Sequence, residues 1–261
     1  MECCRRPIGV FDSGMGGLSV WQEIVKLLPN ESVVYFGDGK NCPYGERSAE
    51  EVIGFVQDAV DLFLKKKCKA IVLACNAATA MSVDYLRKRY PEMIIVGMEP
   101  AVKPAAHNSR SGVIGILATK ATLEGALFKE TSLKYGQNVK IISSVGEGFV
   151  ELVESGQENS EEAYYAVSKC VSGMIDGGAD HIVLGCTHYP FLTDTIKKVI
   201  GDRDIAIVDP APAIALRVKS LLEQNGLLAI GDISPEYLFY SAREDEYSEK
   251  LKSKAMSLVN R

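Results

Sequence analysis

The sequence predicts an α/β protein made of two similar domains, each a mostly parallel sheet flanked by helices. Three observations carry that prediction. Short β-rich apolar runs alternate with longer stretches of helical period, the pattern of repeated βα units. Two segments recur along the chain: Ile8-Gly9-Val10-Phe11 is echoed by Ile114-Gly115-Ile116-Leu117, and Ile71-Val72-Leu73-Ala74-Cys75-Asn76 by Ile182-Val183-Leu184-Gly185-Cys186-Thr187. The echoes lie 106 and 111 residues apart, so strands, turns and a cysteine fall in matching places, as duplication of one unit would leave them. A chain of 261 residues, at about 150 per domain, also fits two modest domains better than one.

In the first half, Ile8 to Phe11, Val33 to Phe36, Ile71 to Ala74 and Ile94 to Val96 read as strands. Between them Leu18 to Leu28, Ala49 to Lys65 and Ala78 to Tyr90 carry apolar residues three and four apart, the stripe of helices that cover a sheet. Ser48, with Glu51 three residues on, forms a capping-box signal at the head of the second helix. A domain boundary is expected near Gly97 to His107, where Glu99-Pro100 and Lys103-Pro104 interrupt regular structure. Beyond the second echo, Ile205 to Val208 reads as a strand and Ala211 to Leu222 as the helix after Asp209-Pro210. The signal then weakens to a strand over Tyr237 to Tyr240 and a charged helix over Glu244 to Asn260.

Composition narrows the class of function. With 47% hydrophobic and 24% charged residues, the chain matches globular averages and excludes disorder, collagen and coiled coil. Net charge is −5, and the basic residues are scattered apart from Lys65-Lys66-Lys67, a solvated helix end placed well against the helix dipole, so no nucleic-acid surface is indicated. The N-terminus lacks an apolar signal region, and runs such as Ala70 to Cys75 fall far short of the roughly 20 residues that span a bilayer. The expectation is a cytoplasmic protein with no membrane contact. Seven cysteines, none in a C-x-x-C pair, support neither a disulfide framework nor a four-ligand zinc site. Cys3, Cys4, Cys42, Cys68 and Cys170 are assigned no chemistry, the first two lying in an end expected to be mobile.

Cys75 and Cys186 differ from the rest. Each is expected at the C-terminal end of an apolar strand, just before a helix, where parallel sheets form their sites and where a helix N-terminus favours a thiolate. One such cysteine would read as a buried structural thiol. Two at equivalent places in a repeat suggest another use, because a pseudo-two-fold axis can bring them to opposite faces of one cleft. Racemisation needs that arrangement: one base removes the α-proton and one acid returns a proton to the other face. Asp12 and Ser13 follow the first strand in FDSGMGG, where a carboxylate could hold an ammonium or orient a thiol, and Gly14, Gly16 and Gly17 allow close backbone approach. Ser19 breaks the dinucleotide-binding glycine pattern, and no Walker motif is present. His188, two residues after Cys186, can share a proton with that thiol. The two residues make a poor zinc site, because the remaining ligands have no recognisable spacing.

FDSGMGG at Phe11 to Gly17, YFGD at Tyr35 to Asp38, PYGERS at Pro43 to Ser48, ACNAATA at Ala74 to Ala80 and GCTHYP at Gly185 to Pro190 resemble, in order, the motif set of bacterial glutamate racemases. The resemblance implies two pseudo-symmetric α/β domains, residues 1–97 with 207–261 and residues 98–206, with the active site in the interdomain cleft. It implies racemisation of glutamate without pyridoxal phosphate or metal, to supply D-glutamate for peptidoglycan. Carried over residue by residue, Cys75 would act on the D-enantiomer and Cys186 on the L-enantiomer, with Asp12 beside the first thiol and His188 beside the second. Glu154 in LVESG matches the acidic position near Cys186, with Glu151 as its competitor. Ser13, Tyr44, Gly45, Asn76 and Thr187 match positions that hold substrate carboxylates, and Thr119 is a further match of that kind. One departure concerns specificity: Ala77 stands where the family commonly has threonine, and a missing hydroxyl donor would cost about 1 to 3 kcal/mol if nothing replaces it. The alternatives are a racemase for aspartate or of broad specificity, a non-catalytic amino-acid-binding protein, which would need neither thiol, and a hydrolase using one cysteine and His188, which leaves the other cysteine unexplained. A homodimer is compatible with the sequence, which does not itself encode the oligomeric state legibly.

Overall fold

The computed structural model describes residues 2–231, 234–242 and 245–259, with the side chains of residues 2, 3 and 245 outside that set. In chain order the first elements are β1 (Ile8–Asp12), α1 (Leu18–Leu27), β2 (Val33–Gly37), α2 (Ala49–Lys65), β3 (Ala70–Leu73), α3 (Asn76–Arg89) and β4 (Ile94–Gly97). There follow α4 (Val102–Asn108), β5 (Val113–Ala118), α5 (Lys120–Glu124), α6 (Ala126–Tyr135), β6 (Lys140–Val145), α7 (Phe149–Glu154), α8 (Glu161–Asp176), β7 (His181–Gly185), α9 (Thr193–Ile200) and β8 (Ala206–Val208). The chain ends with α10 (Ala211–Gln224), β9 (Tyr237–Ser241) and α11 (Asp245–Val259).

These elements divide into two compact units, Met1–Met98 with Ala211–Arg261 and Glu99–Pro210. The first unit carries a five-stranded sheet in the order β4-β3-β1-β2-β9, the second a four-stranded sheet in the order β6-β5-β7-β8, and every pairing is parallel. Read from the opposite edge, the second sheet repeats the first four positions of the first, with β9 added at one edge. The duplication extends to packing. Gly9 on β1 lies under the Phe63 ring of α2, where a Cβ would come 2.7 Å from Cγ, and Gly115 on β5 lies under Met174 of α8, where a Cβ would come 2.5 Å from the sulfur. Phe63 and Met174 are 111 residues apart and Gly9 and Gly115 are 106 apart, the same two spacings as the sequence echoes. Each central strand thus keeps a glycine because a large helix residue occupies the space a side chain would need.

Several elements depart from expectation for local reasons. Lys103-Pro104 does not interrupt structure: α4 runs through it, with Pro104 in the first turn, where a missing N–H costs no helical bond. The chain re-enters the first unit at Ala211, since β8 pairs with β7 through Ile207 opposite Ile182 and Val208 opposite Val183. The N-terminal end is held: residues Glu2–Arg5 form a 3-10 turn, and Lys69 Nζ donates to the Cys4 carbonyl at 2.6 Å while standing 2.5 Å from Glu31 Oε2. Ser48 and Glu51 form the expected capping box. The last helix is described over Asp245–Val259; Glu244 and Asn260, the expected ends, lie outside the described residues. No described helix is long and apolar enough to cross a membrane.

Asp180 locks the start of β7 to the segment after α4. Its carboxylate accepts from Ser109 Oγ (2.8 Å), Arg110 N (2.6 Å), Ser111 N (2.8 Å) and His181 Nδ1 (2.8 Å). Burial opposes its charge, but these four donors outweigh burial and hold the carboxyl well below its usual range. A group with a depressed folded value stabilises fully above its unfolded value, about pH 4, and loses that contribution as pH falls through the folded value. Asp180→Asn is therefore expected to destabilise by about 1 to 3 kcal/mol at pH 7, with a gap that narrows below about pH 4. Urea unfolding of both proteins across that range checks this, and a gap independent of pH contradicts the assignment.

Candidate active site

In the first unit, the ends of β1, β2 and β3 bring together Asp12, Asp38 and Cys75. The strands are in register, with Phe11 opposite both Phe36 and Leu73, so the residues that follow them emerge side by side at the carboxyl edge of the sheet. Cys75 is the N-cap of α3, which begins at Asn76, two residues before the expected start. Its sulfur accepts from Ala78 N at 3.4 Å, and its thiol faces Ser13 Oγ at 3.5 Å. A backbone donor and the positive end of a helix thus face this sulfur, an environment that tolerates negative charge. Asp12 is fully buried, and its Oδ2 accepts from Gly14 N at 3.0 Å. Gly17 packs on it so closely that a Cβ there would fall 2.5 Å from Asp12 Cβ, which explains this glycine of FDSGMGG.

Tyr44 heads a short 3-10 turn, Tyr44–Glu46, that also carries Gly45. Its hydroxyl donates to Asp38 Oδ2 at 2.6 Å. Burial above all, then the charge and hydrogen bond of Asp38, push the phenol far above its usual range, with Cys75 and Asp12 adding to the effect. Asn76 is buried, and neither its Oδ1 nor its Nδ2 has a hydrogen-bond partner among the described residues. Buried amides are ordinarily satisfied, so this carboxamide is arranged for a polar group that the fold itself does not supply.

In the second unit the equivalent cysteine has different company. Cys186 follows β7 as Cys75 follows β3, but no α-helix starts behind it: a turn through Thr187 and His188 leads into the 3-10 segment Tyr189–Leu192 and then α9. The expected helix N-terminus is therefore absent at this thiol, and a histidine stands in its place. His188 Nδ1 lies 3.8 Å from Cys186 Sγ, and His188 Nε2 lies 2.8 Å from Glu154 Oε1. Both ring nitrogens thus face protein groups. Burial opposes a charge on His188, but Cys186 and Glu154 outweigh it and raise the imidazole well above its usual value, which keeps it cationic near neutrality. Glu154, the last residue of α7, makes this contact, whereas Glu151 on the same helix is exposed. The Gly148 backbone, at φ 76°, turns the chain into α7, and Phe149 packs edge-on against Tyr189 at 5.2 Å to hold that helix beside the histidine.

Register places Ser13 in correspondence with Thr119, Asn76 with Thr187, and Ala77 with His188. Thr119 caps α5, its Oγ1 accepting from Thr122 N at 3.3 Å and lying 2.9 Å from Thr122 Oγ1, so its hydroxyl already serves the fold. Thr187 is buried in the turn after Cys186, and Ala77 is buried in the first turn of α3. Asp38, within the YFGD motif, received no site role from the sequence. The usable signal was positional, since it follows β2 as Asp12 completes β1. Burial pushes the Cys68 thiol up to about 12 against the lowering effect of Lys66, which keeps it protonated and poorly reactive.

Comparison with known proteins agrees over nearly the whole chain. A family model described as Asp/Glu/Hydantoin racemase matches residues 8–218. A glutamate racemase from Pseudomonas syringae pv. tomato is 41% identical over 248 residues, covering 95% of this chain and 90% of that protein. The crystal structure of a glutamate racemase isoform from Bacillus anthracis superposes with a TM-score of 0.86 at 31% identity, covering 96% of this chain and 94% of that one. That of a glutamate racemase from Francisella tularensis, in complex with D-glutamate, gives 0.83 at 28% identity, covering 99% and 95%. With the family matched over most of its length and both echoed cysteines in place, the chain belongs to the Asp/Glu/Hydantoin racemase family, among the glutamate racemases.

Proposed function

We propose that this enzyme interconverts L- and D-glutamate by proton transfer between two thiols, without an organic cofactor or metal. The observation that carries the mechanism is the pair Cys75 and Cys186 at equivalent strand ends of two units with one topology. Starting from L-glutamate, the Cys186 thiolate takes the α-proton, the C–H electron pair remains on the α-carbon, and the Cys75 thiol delivers its proton to the other face. The thiol and thiolate have then exchanged places, and D-glutamate runs the same steps in reverse. His188, backed by Glu154, matches the charge on Cys186, while the α3 N-terminus and Ser13 serve Cys75. Asp12 would hold the ammonium, and Ser13, Asn76 and Thr187, with the Tyr44 and Gly45 backbone, would supply donors for the two carboxylates, Thr119 contributing only if its hydroxyl leaves Thr122; the amide of Asn76, unpartnered among the described residues, favours this use. Both thiols must stay reduced, which suits a cytoplasmic enzyme that supplies D-glutamate for peptidoglycan.

Circular dichroism of the purified protein with reductant and no added cofactor tests the reading. The signals of L-glutamate and D-glutamate should each decay to zero. Decay of the aspartate enantiomers instead would keep the mechanism and change the substrate, and stable signals for all four would favour a binding protein.

A further inference from the structure

The Cys75 side of the site holds a carboxylate that the two-thiol chemistry does not use. Asp38 is 1% exposed, and its amide donates to the Asp12 carbonyl at 3.0 Å. Its carboxylate meets the Tyr44 hydroxyl at 2.6 Å and Asn41 Nδ2 at 3.0 and 2.9 Å, so neutral donors alone are described around it. Burying a charge this way is costly, which is explained if the charge holds something in place. The object held is Tyr44, whose ring packs on Phe11 at 6.2 Å and Phe55 at 5.8 Å. The turn it heads is short, with extended backbone at Pro43 and Arg47 on either side, so this side chain anchors the turn to the sheet. The Tyr44 hydroxyl has one proton to donate, and the hydrogen bond to Asp38 uses it.

We propose that Asp38 is a positioning residue, whose hydrogen bond to Tyr44 fixes the Tyr44–Glu46 turn in the geometry with which it receives a substrate carboxylate beside Cys75. The inference rests on the racemase reading above. It separates binding from proton transfer, because the turn is engaged by ground state and transition state alike, so its loss should appear mainly in KM.

The test compares wild type with Asp38→Ala, Asp38→Asn, Tyr44→Phe and the double variant Asp38→Ala/Tyr44→Phe, measuring kcat and KM for both enantiomers. Asp38→Ala and Tyr44→Phe should each raise KM about tenfold with kcat falling less than about threefold, and Asp38→Asn, which keeps an acceptor, should stay within about threefold of wild type. The double variant should be no worse than the poorer single, because one hydrogen bond has been removed twice. Unchanged KM in both single variants, or a double variant showing the product of their effects, overturns the proposal. Should Asp38→Ala not fold, Tyr44→Phe removes the same bond from the other end and carries the decision with Asp38→Asn. A wild type without turnover would count against the racemase reading instead. In that case iodoacetamide labelling, followed by peptide mass spectrometry, decides: loosening Tyr44 should speed Cys75 alkylation about threefold or more and leave Cys186 unaffected, and an unchanged Cys75 rate overturns the proposal.

Discussion

Replacing either cysteine by serine is expected to lower racemisation by about 10³-fold or more, yet each variant should retain half of the proton chemistry. A serine hydroxyl fills nearly the same space but neither ionises nor releases a proton near neutral pH, so one face of the α-carbon loses its acid and base. The surviving thiol can still remove the α-hydrogen from its own face and put it back. In deuterated water, Cys75→Ser should therefore exchange the α-hydrogen of L-glutamate without inversion, and Cys186→Ser that of D-glutamate. Steady-state kinetics cannot reveal this asymmetry. Enantiomers have equal free energy in water, so the equilibrium constant is one and kcat/KM must stay equal in both directions for every variant. Proton exchange, read by NMR on each enantiomer separately, escapes that constraint. Near-normal turnover in either serine variant would sink the two-base mechanism, and exchange of the opposite enantiomers would reverse the assignment of faces.

How much of this was legible in the sequence depends on how local the cause is. The strands after which the thiols stand were readable because buried parallel strands leave unbroken runs such as Ile71 to Leu73 and Ile182 to Leu184, and because duplication printed the same run twice. The Ala49–Lys65 helix was readable to its end residues, since the Ser48 capping box is a local signal. What escaped depended on tertiary context. Lys103-Pro104 looks like a break until it is known that Pro104 falls in a first turn. His188 was readable from GCTHYP as a partner of Cys186, but the helix also expected behind that thiol is delayed by the Thr187-His188 turn, so the histidine stands there without a helix N-terminus. Asp38 finds its partner Tyr44 only once β2 has placed it beside β1. The choice between Glu151 and Glu154, three residues apart on one helix, is likewise a matter of what the next element presents.

The two halves of the repeat have diverged at the residues that accompany the thiol, and this divergence yields the second large effect. Where unit one has Asp12 and Ala77, register gives unit two Ala118 and His188, so each half keeps an ionisable companion but draws it from a different strand end. His188 stands 3.8 Å from Cys186 and is held cationic by that thiol and Glu154, so its influence should be confined to the proton transferred by Cys186. His188→Asn is expected to lower kcat/KM by about 10²-fold in both directions, as equal enantiomer energies require. Exchange should resolve the two halves. In the Cys75→Ser background, adding His188→Asn should slow exchange of L-glutamate by a similar factor; in the Cys186→Ser background it should leave exchange of D-glutamate within about twofold. Glu154→Gln keeps an oxygen for the imidazole but not the charge, so its effect on L-glutamate exchange should be smaller, about three- to tenfold. The sign of the pH response follows from the raised histidine. Its cationic form, and the stability gained from its partners, is present below the ordinary imidazole value and is lost as pH rises through the higher folded value. Wild-type exchange by Cys186 should therefore persist through neutral pH, and the His188→Asn defect should shrink as pH rises and wild type loses its imidazolium. Equal slowing of D- and L-glutamate exchange would mean that His188 acts on the whole site and not on one thiol.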